Sequence, residues 1–300
     1  MKLISVERLN QREVSIDWFI GKRCNFDCSY CSSDIHDNFS PHQNLVHLKS
    51  TAQKFIDAFQ AQNLQIGITG GEPTVNSSLV DFVSFLKGQG VNKVSVTSNG
   101  SRTADYYINL SQHLGTLTFS QHFEFVDDSF LDKIKIINEQ RHCKNLFVQV
   151  MANSNHWESL KTSVDFYIKN NISFTIRKIR DRFNTISAAQ YTKEQEEWIS
   201  SFQTKKITPN CKITFENKET KEVFVNEISN NDLNKFKGWT CWAGLKHFHI
   251  WHDGTVYRGN CRQGGELGSI QKGFEIPTTP VVCDLDTCFC APEVTVKKLR

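Results

Sequence analysis

The constraint that bears hardest on this chain is an alternation of short strand-like and longer helix-like segments. The strand candidates are residues 15–21, 64–70, 92–100, 115–121, 145–151 and 172–178, each rich in β-branched or aromatic residues and ending near Gly, Ser or Asn. Between them, Leu45, Leu48, Ala52, Phe55, Ile56 and Phe59 recur at three- and four-residue spacing. Leu79, Phe82, Val83 and Leu86 do the same, as do Phe130, Leu131, Ile134 and Ile137. Ser40-Pro41 and Asn76 read as helix starts. Six strands alternating with helices predict an α/β fold with a parallel sheet and right-handed crossovers, open or curved into a barrel. In such a sheet the loops after the strands gather at the carboxyl edge, where sites are built. Cys24–Cys31, Gly70-Gly71-Glu72-Pro73, Ser98-Asn99-Gly100 and Ser120–Glu124 all fall in those loops.

Beyond residue 180 the rhythm stops. Residues 191–202 predict an exposed helix, and residues 211–228 a hairpin around Asn217–Thr220. From Trp239 a different unit begins, with a hairpin turning at Asp253-Gly254. The expected division is 1–185, a connecting 186–238, and 239–300. Apolar residues at 39%, with Phe 22 and Trp 6, supply a large core and exclude a disordered chain. Thirty-five basic against 32 acidic residues leave a net +3 with no basic run, which neither demands nor forbids nucleic acid. No apolar stretch is long enough for a membrane span or signal peptide, so a cytoplasmic, reducing setting is expected.

Ten cysteines stand at 24, 28, 31, 143, 211, 241, 261, 283, 288 and 290. In a reducing compartment such clustering points to metal or iron–sulfur ligation. Cys24, Cys28 and Cys31 form a C-x3-C-x2-C loop. Three thiolates can hold three corners of a [4Fe–4S] cube and leave one iron for an outside ligand, or form part of a zinc site. Two other classes therefore stand beside an enzyme: a zinc-stabilised binding protein and a ferredoxin-like electron carrier. Cys143 and Cys211 stand apart from both clusters and read as small hydrophobes.

The triad, with Tyr30 before its last cysteine, resembles the signature of the radical S-adenosylmethionine (radical SAM) superfamily. Gly70-Gly71-Glu72-Pro73 resembles that family's Gly-Gly-Glu-Pro motif, which contacts the SAM amino group. Thr97-Ser98-Asn99-Gly100 is similar to its third-strand SAM contact, and Ser120 sits where relatives place a ribose or carboxylate contact. The two glycines are expected to let backbone approach the ligand, with exposed carbonyls or the Glu72 carboxylate meeting an ammonium.

The resemblance covers roughly residues 14–180 and implies a partial (β/α)6 barrel. It also implies reductive cleavage of SAM to a 5′-deoxyadenosyl radical that takes a hydrogen atom from substrate, with an electron donor such as flavodoxin or ferredoxin. His122 and Glu124 are candidate catalytic residues at the end of the fourth strand. Arg177, with Lys178, Arg180 and Arg182, is a candidate anchor for a phosphate or carboxylate. The expected substrate is a small anionic, nucleotide or amino-acid-derived molecule; the alternative is a peptide, weakened by a first strand near residue 14 that leaves no separate N-terminal recognition domain.

Cys241, Cys261, Cys283, Cys288 and Cys290 resemble the twitch form of the SPASM extension, which implies one auxiliary [4Fe–4S] cluster serving as electron relay. The C-x4-C-x-C tail departs from the more usual C-x2-C pairing, leaving open which tail thiols ligate. A closed four-thiolate zinc site is the competing reading there.

Overall fold

The computed structural model describes residues 2–179, 185–202 and 209–300. In chain order the elements are β1 (Leu3–Arg8), β2 (Val14–Phe19), α1 (Leu45–Phe59), β3 (Leu64–Thr69), α2 (Leu79–Gly88), β4 (Lys93–Ser98), α3 (Ala104–Ser111), β5 (Thr116–Gln121), α4 (Phe130–Gln140), β6 (Asn145–Ala152), α5 (Trp157–Lys169) and β7 (Phe174–Lys178). They continue with α6 (Lys193–Ser201), β8 (Cys211–Phe215), β9 (Thr220–Val223), α7 (Val225–Asn230), β10 (Thr240–Cys241), β11 (His247–Ile250), β12 (Thr255–Tyr257), β13 (Glu266–Ser269), β14 (Gly273–Phe274), β15 (Val281–Val282), α8 (Ala291–Thr295) and β16 (Lys298–Leu299). The fold is mixed α/β. The chain separates into two compact units: Met1–Phe19, Val46–Ile66 and Lys206–Arg300 form one, and Ile20–Leu45 with Gly67–Lys205 the other.

In the second unit the strand order is β3-β4-β5-β6-β7, and β4/β5, β5/β6 and β6/β7 pair in parallel. All six expected strands form. Their alternating apolar residues face inward: Val94 and Val96 of β4, Leu117 and Phe119 of β5, Leu146, Val148 and Val150 of β6 are buried. Helices α2 and α4 cover the sheet with the apolar stripes their spacing gives, Leu79, Phe82, Val83 and Leu86 in one and Phe130, Ile134 and Ile137 in the other. Burial of each such side chain is worth about 1.5–3 kcal/mol. No strand lies beyond β7 among the described residues, and no closed barrel forms there.

The first unit holds the strand run β14-β13-β12-β11-β2 with the Leu64–Ile66 half of β3, and a separate six-stranded sheet β15-β10-β16-β1-β8-β9. The expected hairpins form as β8/β9 and β11/β12. Strand β11 lies parallel to β2, with His247 opposite Ser15 and His249 opposite Asp17. Phe55 of α1 packs against Phe248 (centroids 4.9 Å) and Phe274 (5.2 Å).

Three local expectations are corrected. The first strand is β1, not the segment near residue 15: its buried residues Leu3 and Val6 are three apart, and a register shift between Leu3 and Ser5 breaks the alternation. Helix α1 starts at Leu45 rather than at Ser40-Pro41, because Ser40 binds the Asp37 carboxylate and the Gln43 N–H donates to Ile20 O (3.0 Å). Helix α2 starts after Ser78. Asn76 instead closes the 3-10 turn Pro73–Val75 and accepts from the Ser78 N–H (2.9 Å).

Candidate active site

The cysteine loop is stitched to the strands on either side of it. After β2, the Gly71 N–H donates to Gly21 O and the Glu72 N–H to Arg23 O, both at 2.9 Å. The Cys24 N–H donates to Asp37 O (2.6 Å), the Asp37 N–H to Lys22 O (3.0 Å), and the Cys31 N–H to Cys28 O (2.9 Å). His36 Nε2 donates to Phe26 O (2.5 Å). A Cβ on Gly70, whose φ is +141°, would stand 2.2 Å from Gly21 O. One on Gly71 would stand 2.3 Å from Lys22 O and 2.4 Å from Arg23 O. The glycines are therefore required by backbone packing between β3's end and the start of the cysteine loop.

The thiols themselves are suited to iron. Cys24 Sγ accepts from Phe26 N (3.4 Å) and faces Asn99 Nδ2 at 3.8 Å. Burial pushes the Cys24 thiol up to about 11. Cys28 and Cys31 share a hydrogen bond that keeps the proton on Cys28 and favours thiolate at Cys31. Three thiols from one loop, one already receiving N–H donors, match in number and kind the protein ligands that three corners of a [4Fe–4S] cube take, a polynuclear site rather than a single ion. Among the described residues no three His, Cys, Asp or Glu side chains converge to hold a metal ion.

Glu72 turns inward. It is 1% exposed, and its carboxylate accepts from Thr74 N (2.9 Å), Thr74 Oγ1 (2.6 Å), Ser98 Oγ (2.8 Å) and Asn99 N (2.6 Å). Burial raises its pKa against those four bonds. Its side chain thus locks the ends of β3 and β4 together. Pro73 opens the 3-10 turn and is buried. Ser98 Oγ also pairs with Tyr107 OH (2.7 Å), and Asn99 Nδ2 reaches Asn25 Oδ1 (3.0 Å) beside Cys24. The ends of β3 and β4 and the cysteine loop thereby converge.

The remaining expected site residues divide. His122 pairs with Tyr30 OH through Nδ1 (2.8 Å), and burial lowers it to about 4, so its ring is neutral. Glu124 accepts from Ser29 N (2.8 Å), Ser29 Oγ (2.6 Å) and Asn153 Nδ2 (3.2 Å). Both point at the cysteine loop. Ser120 is half-buried in β5, opposite Gln149. Arg177 is exposed on β7, while its neighbour Lys178 pairs with Glu196 (2.8 Å). Arg180 and Arg182 lie outside the described residues. Sequence reasoning missed Thr74, Tyr107, Ser29, His36 and Asp37. His36 and Asp37 carried a signal, as polar residues in the same loop as the triad.

In the other unit, Cys241, Cys283 and Cys288 are buried, and Cys261 and Cys290 half-buried. Burial pushes Cys261 up to about 11, with the nearby Cys241 and Cys283 adding to it. Cys288 goes to about 12 by burial, with Cys261 and Cys241 adding. Cys241 thus lies near enough to Cys261, Cys283 and Cys288 for its charge to bear on each of them. Cys290 Sγ accepts from Asn260 Nδ2 (3.2 Å), whose backbone N–H donates to Glu293 Oε1 (2.6 Å). Lys298 is 1% exposed and donates to the carbonyls of Glu293, Val294 and Val296. Cys143 and Cys211 are buried in their cores.

Residues 18–148 match the profile of the radical SAM superfamily. A GTP 3′,8-cyclase of Haemophilus ducreyi is 32% identical over 114 residues, 37% of this chain and 32% of that protein. A GTP 3′,8-cyclase of Lactiplantibacillus plantarum is 35% identical over 83 residues, 27% of this chain and 25% of that protein. The chain spans about a third or less of the curated relatives it matches. Among solved structures, anSMEcpe with bound AdoMet superposes with TM-score 0.58 at 14% identity, over 87% of this chain and 78% of its own. Streptococcus suis SuiB bound to the precursor peptide SuiA superposes with TM-score 0.56 at 15% identity, over 82% of this chain and 59% of its own. No helix among the described residues is long and apolar enough to cross a membrane.

Proposed function

We propose, from the premise that this chain carries a radical SAM domain over residues 18–148 and is an enzyme, that it cleaves SAM reductively to act on a small anionic, nucleotide-like substrate. The observation that carries the reading is the stitching of the Cys24–Cys28–Cys31 loop to Gly71-Glu72 and Asn99. Cys24, Cys28 and Cys31 would hold three irons of a [4Fe–4S] cluster. That cluster, with SAM, supplies a 5′-deoxyadenosyl radical able to take hydrogen from an unactivated carbon.

The chain's own residues bind and orient. Glu72 holds the ends of β3 and β4 rigid, so that backbone carbonyls of Gly70 and Gly71 stay in place for the SAM amino group. Ser98, Asn99, Ser120 and Tyr30 are the further SAM contacts in this reading. The curved arrangement of the sheet as a partial (β/α)6 barrel belongs to it too. By chemistry rather than compactness, residues 1–185 handle SAM, 186–238 connect, and 239–300 hold an auxiliary [4Fe–4S] cluster as electron relay. Cys241, Cys261, Cys283 and Cys288 are its ligands, with Cys290 the spare thiol on Asn260. A flavodoxin- or ferredoxin-type donor supplies electrons in a cytoplasmic setting.

The nucleotide-like substrate is supported by the GTP 3′,8-cyclase relatives, at 32% and 35% identity. The peptide-carrying neighbour shares the fold alone, at 15% identity, and gives the peptide-modifying reading no residue to rest on. Arg177 is the candidate anchor for the anionic group. Calorimetric titration of purine and pyrimidine nucleoside triphosphates into the reconstituted protein tests this. Micromolar binding that weakens about tenfold in Arg177→Ala is expected. No nucleotide binding at millimolar concentration overturns the nucleotide class.

A further inference from the structure

Four residues that follow β5 reach back to the cysteine loop at three points. Phe125 stacks on Phe26 (centroids 5.1 Å, planes 18° apart). Glu124 takes both the N–H and the hydroxyl of Ser29, at 2.8 and 2.6 Å. His122 pairs with Tyr30 OH at 2.8 Å and stacks on its ring (5.9 Å, 16°). Glu124 is in turn held by Asn153, which is fully buried and whose Oδ1 accepts from Asn155 N (3.0 Å) at the turn after β6. Rigid β6 therefore connects through Asn153 and Glu124 to the residue next to Cys28.

Ser29 is exposed and sits between two of the three triad cysteines, so the loop's own packing does little to fix it there. Carboxylate–amide bonds are among the stronger anchors available to such a segment. We propose that His122 and Glu124 are positioning residues, a latch from the end of β5 that holds Cys28–Cys31 in one arrangement before and after metal binds. This rests on the iron–sulfur reading of the triad for its purpose, though not for its geometry.

The test compares wild type with Glu124→Ala, Glu124→Gln and Ser29→Ala. It measures hydrogen–deuterium exchange across residues 28–31 in the metal-free and the anaerobically reconstituted full chain, and the paramagnetic spectrum of the reduced protein with SAM. The latch predicts exchange about fivefold or more faster in Glu124→Ala in both states, with an altered SAM-dependent spectrum. Glu124→Gln, which keeps an acceptor for Ser29, should return exchange to within about twofold of wild type. If Glu124→Ala exchanges and titrates with SAM as wild type does, the latch is overturned while the iron–sulfur reading stands. If wild type takes up no iron yet Glu124→Ala still loosens the loop, the latch stands and the iron–sulfur reading falls. Should Glu124→Ala fail to fold, Ser29→Ala carries the same test: exchange about twofold or more faster supports the latch, and unchanged exchange overturns it.

Discussion

A methyl group on Gly71 has nowhere to go, with two backbone carbonyls within 2.4 Å of where it would sit. Neither oxygen can move without pulling on the segment that leads into Cys24. Gly71→Ala should cost about 2–3 kcal/mol in denaturant unfolding and reduce iron uptake by the triad. A variant as stable as wild type would refute the close backbone approach. The resemblance to family motifs is what singled out Gly70, Gly71, Glu72 and Asn99 in the sequence. Their contacts within the fold were hidden, because Glu72 finds its four partners in Thr74 and in Ser98 and Asn99 of a different strand end. No local pattern records which way a carboxylate turns. His122 and Glu124 show the same gap: their partners Tyr30 and Ser29 are 92 and 95 residues away in sequence.

At the level of elements, β11 carries a cost. His249 is 3% exposed, neither ring nitrogen has a hydrogen-bond partner, and burial lowers it to about 4, with His247 adding to the effect. A histidine depressed in the folded state binds fewer protons there than in the unfolded chain. Stability is then fully present above about pH 6.5 and falls as pH drops toward 4, by about 2–3 kcal/mol at that one site. His249→Leu should raise stability and flatten this acid limb in denaturant melts at pH 4–7. An unchanged slope would show that the site is hydrated or open. Elements with strong periodicity, such as β4, β5, α2 and α4, were legible because each buries its own stripe. Strand β1 was not, since its bulge hides the alternation and its partners β8 and β16 arrive two hundred and more residues later. The start of α1 was displaced by the Asp37–Ser40 turn, a competition between side-chain and helical hydrogen bonds.

For the whole molecule, the two cysteine sets make a stoichiometric claim. Anaerobically purified protein should hold about eight irons per chain, two cubes of four. Replacing Cys241 and Cys261 together by Ala should halve the iron and leave SAM cleavage partly intact. Full iron retention in that variant, or four irons with one zinc in wild type, contradicts the auxiliary cluster. The measurement that bears most directly on the central claim is simpler. Wild-type protein is reconstituted with iron and sulfide, reduced with dithionite and mixed with SAM, and both 5′-deoxyadenosine and the cluster's paramagnetic spectrum are followed. The account predicts a SAM-dependent spectral change and 5′-deoxyadenosine formation, both lost in Cys28→Ala. A cluster spectrum indifferent to SAM, with no 5′-deoxyadenosine under any substrate supplied, would contradict it.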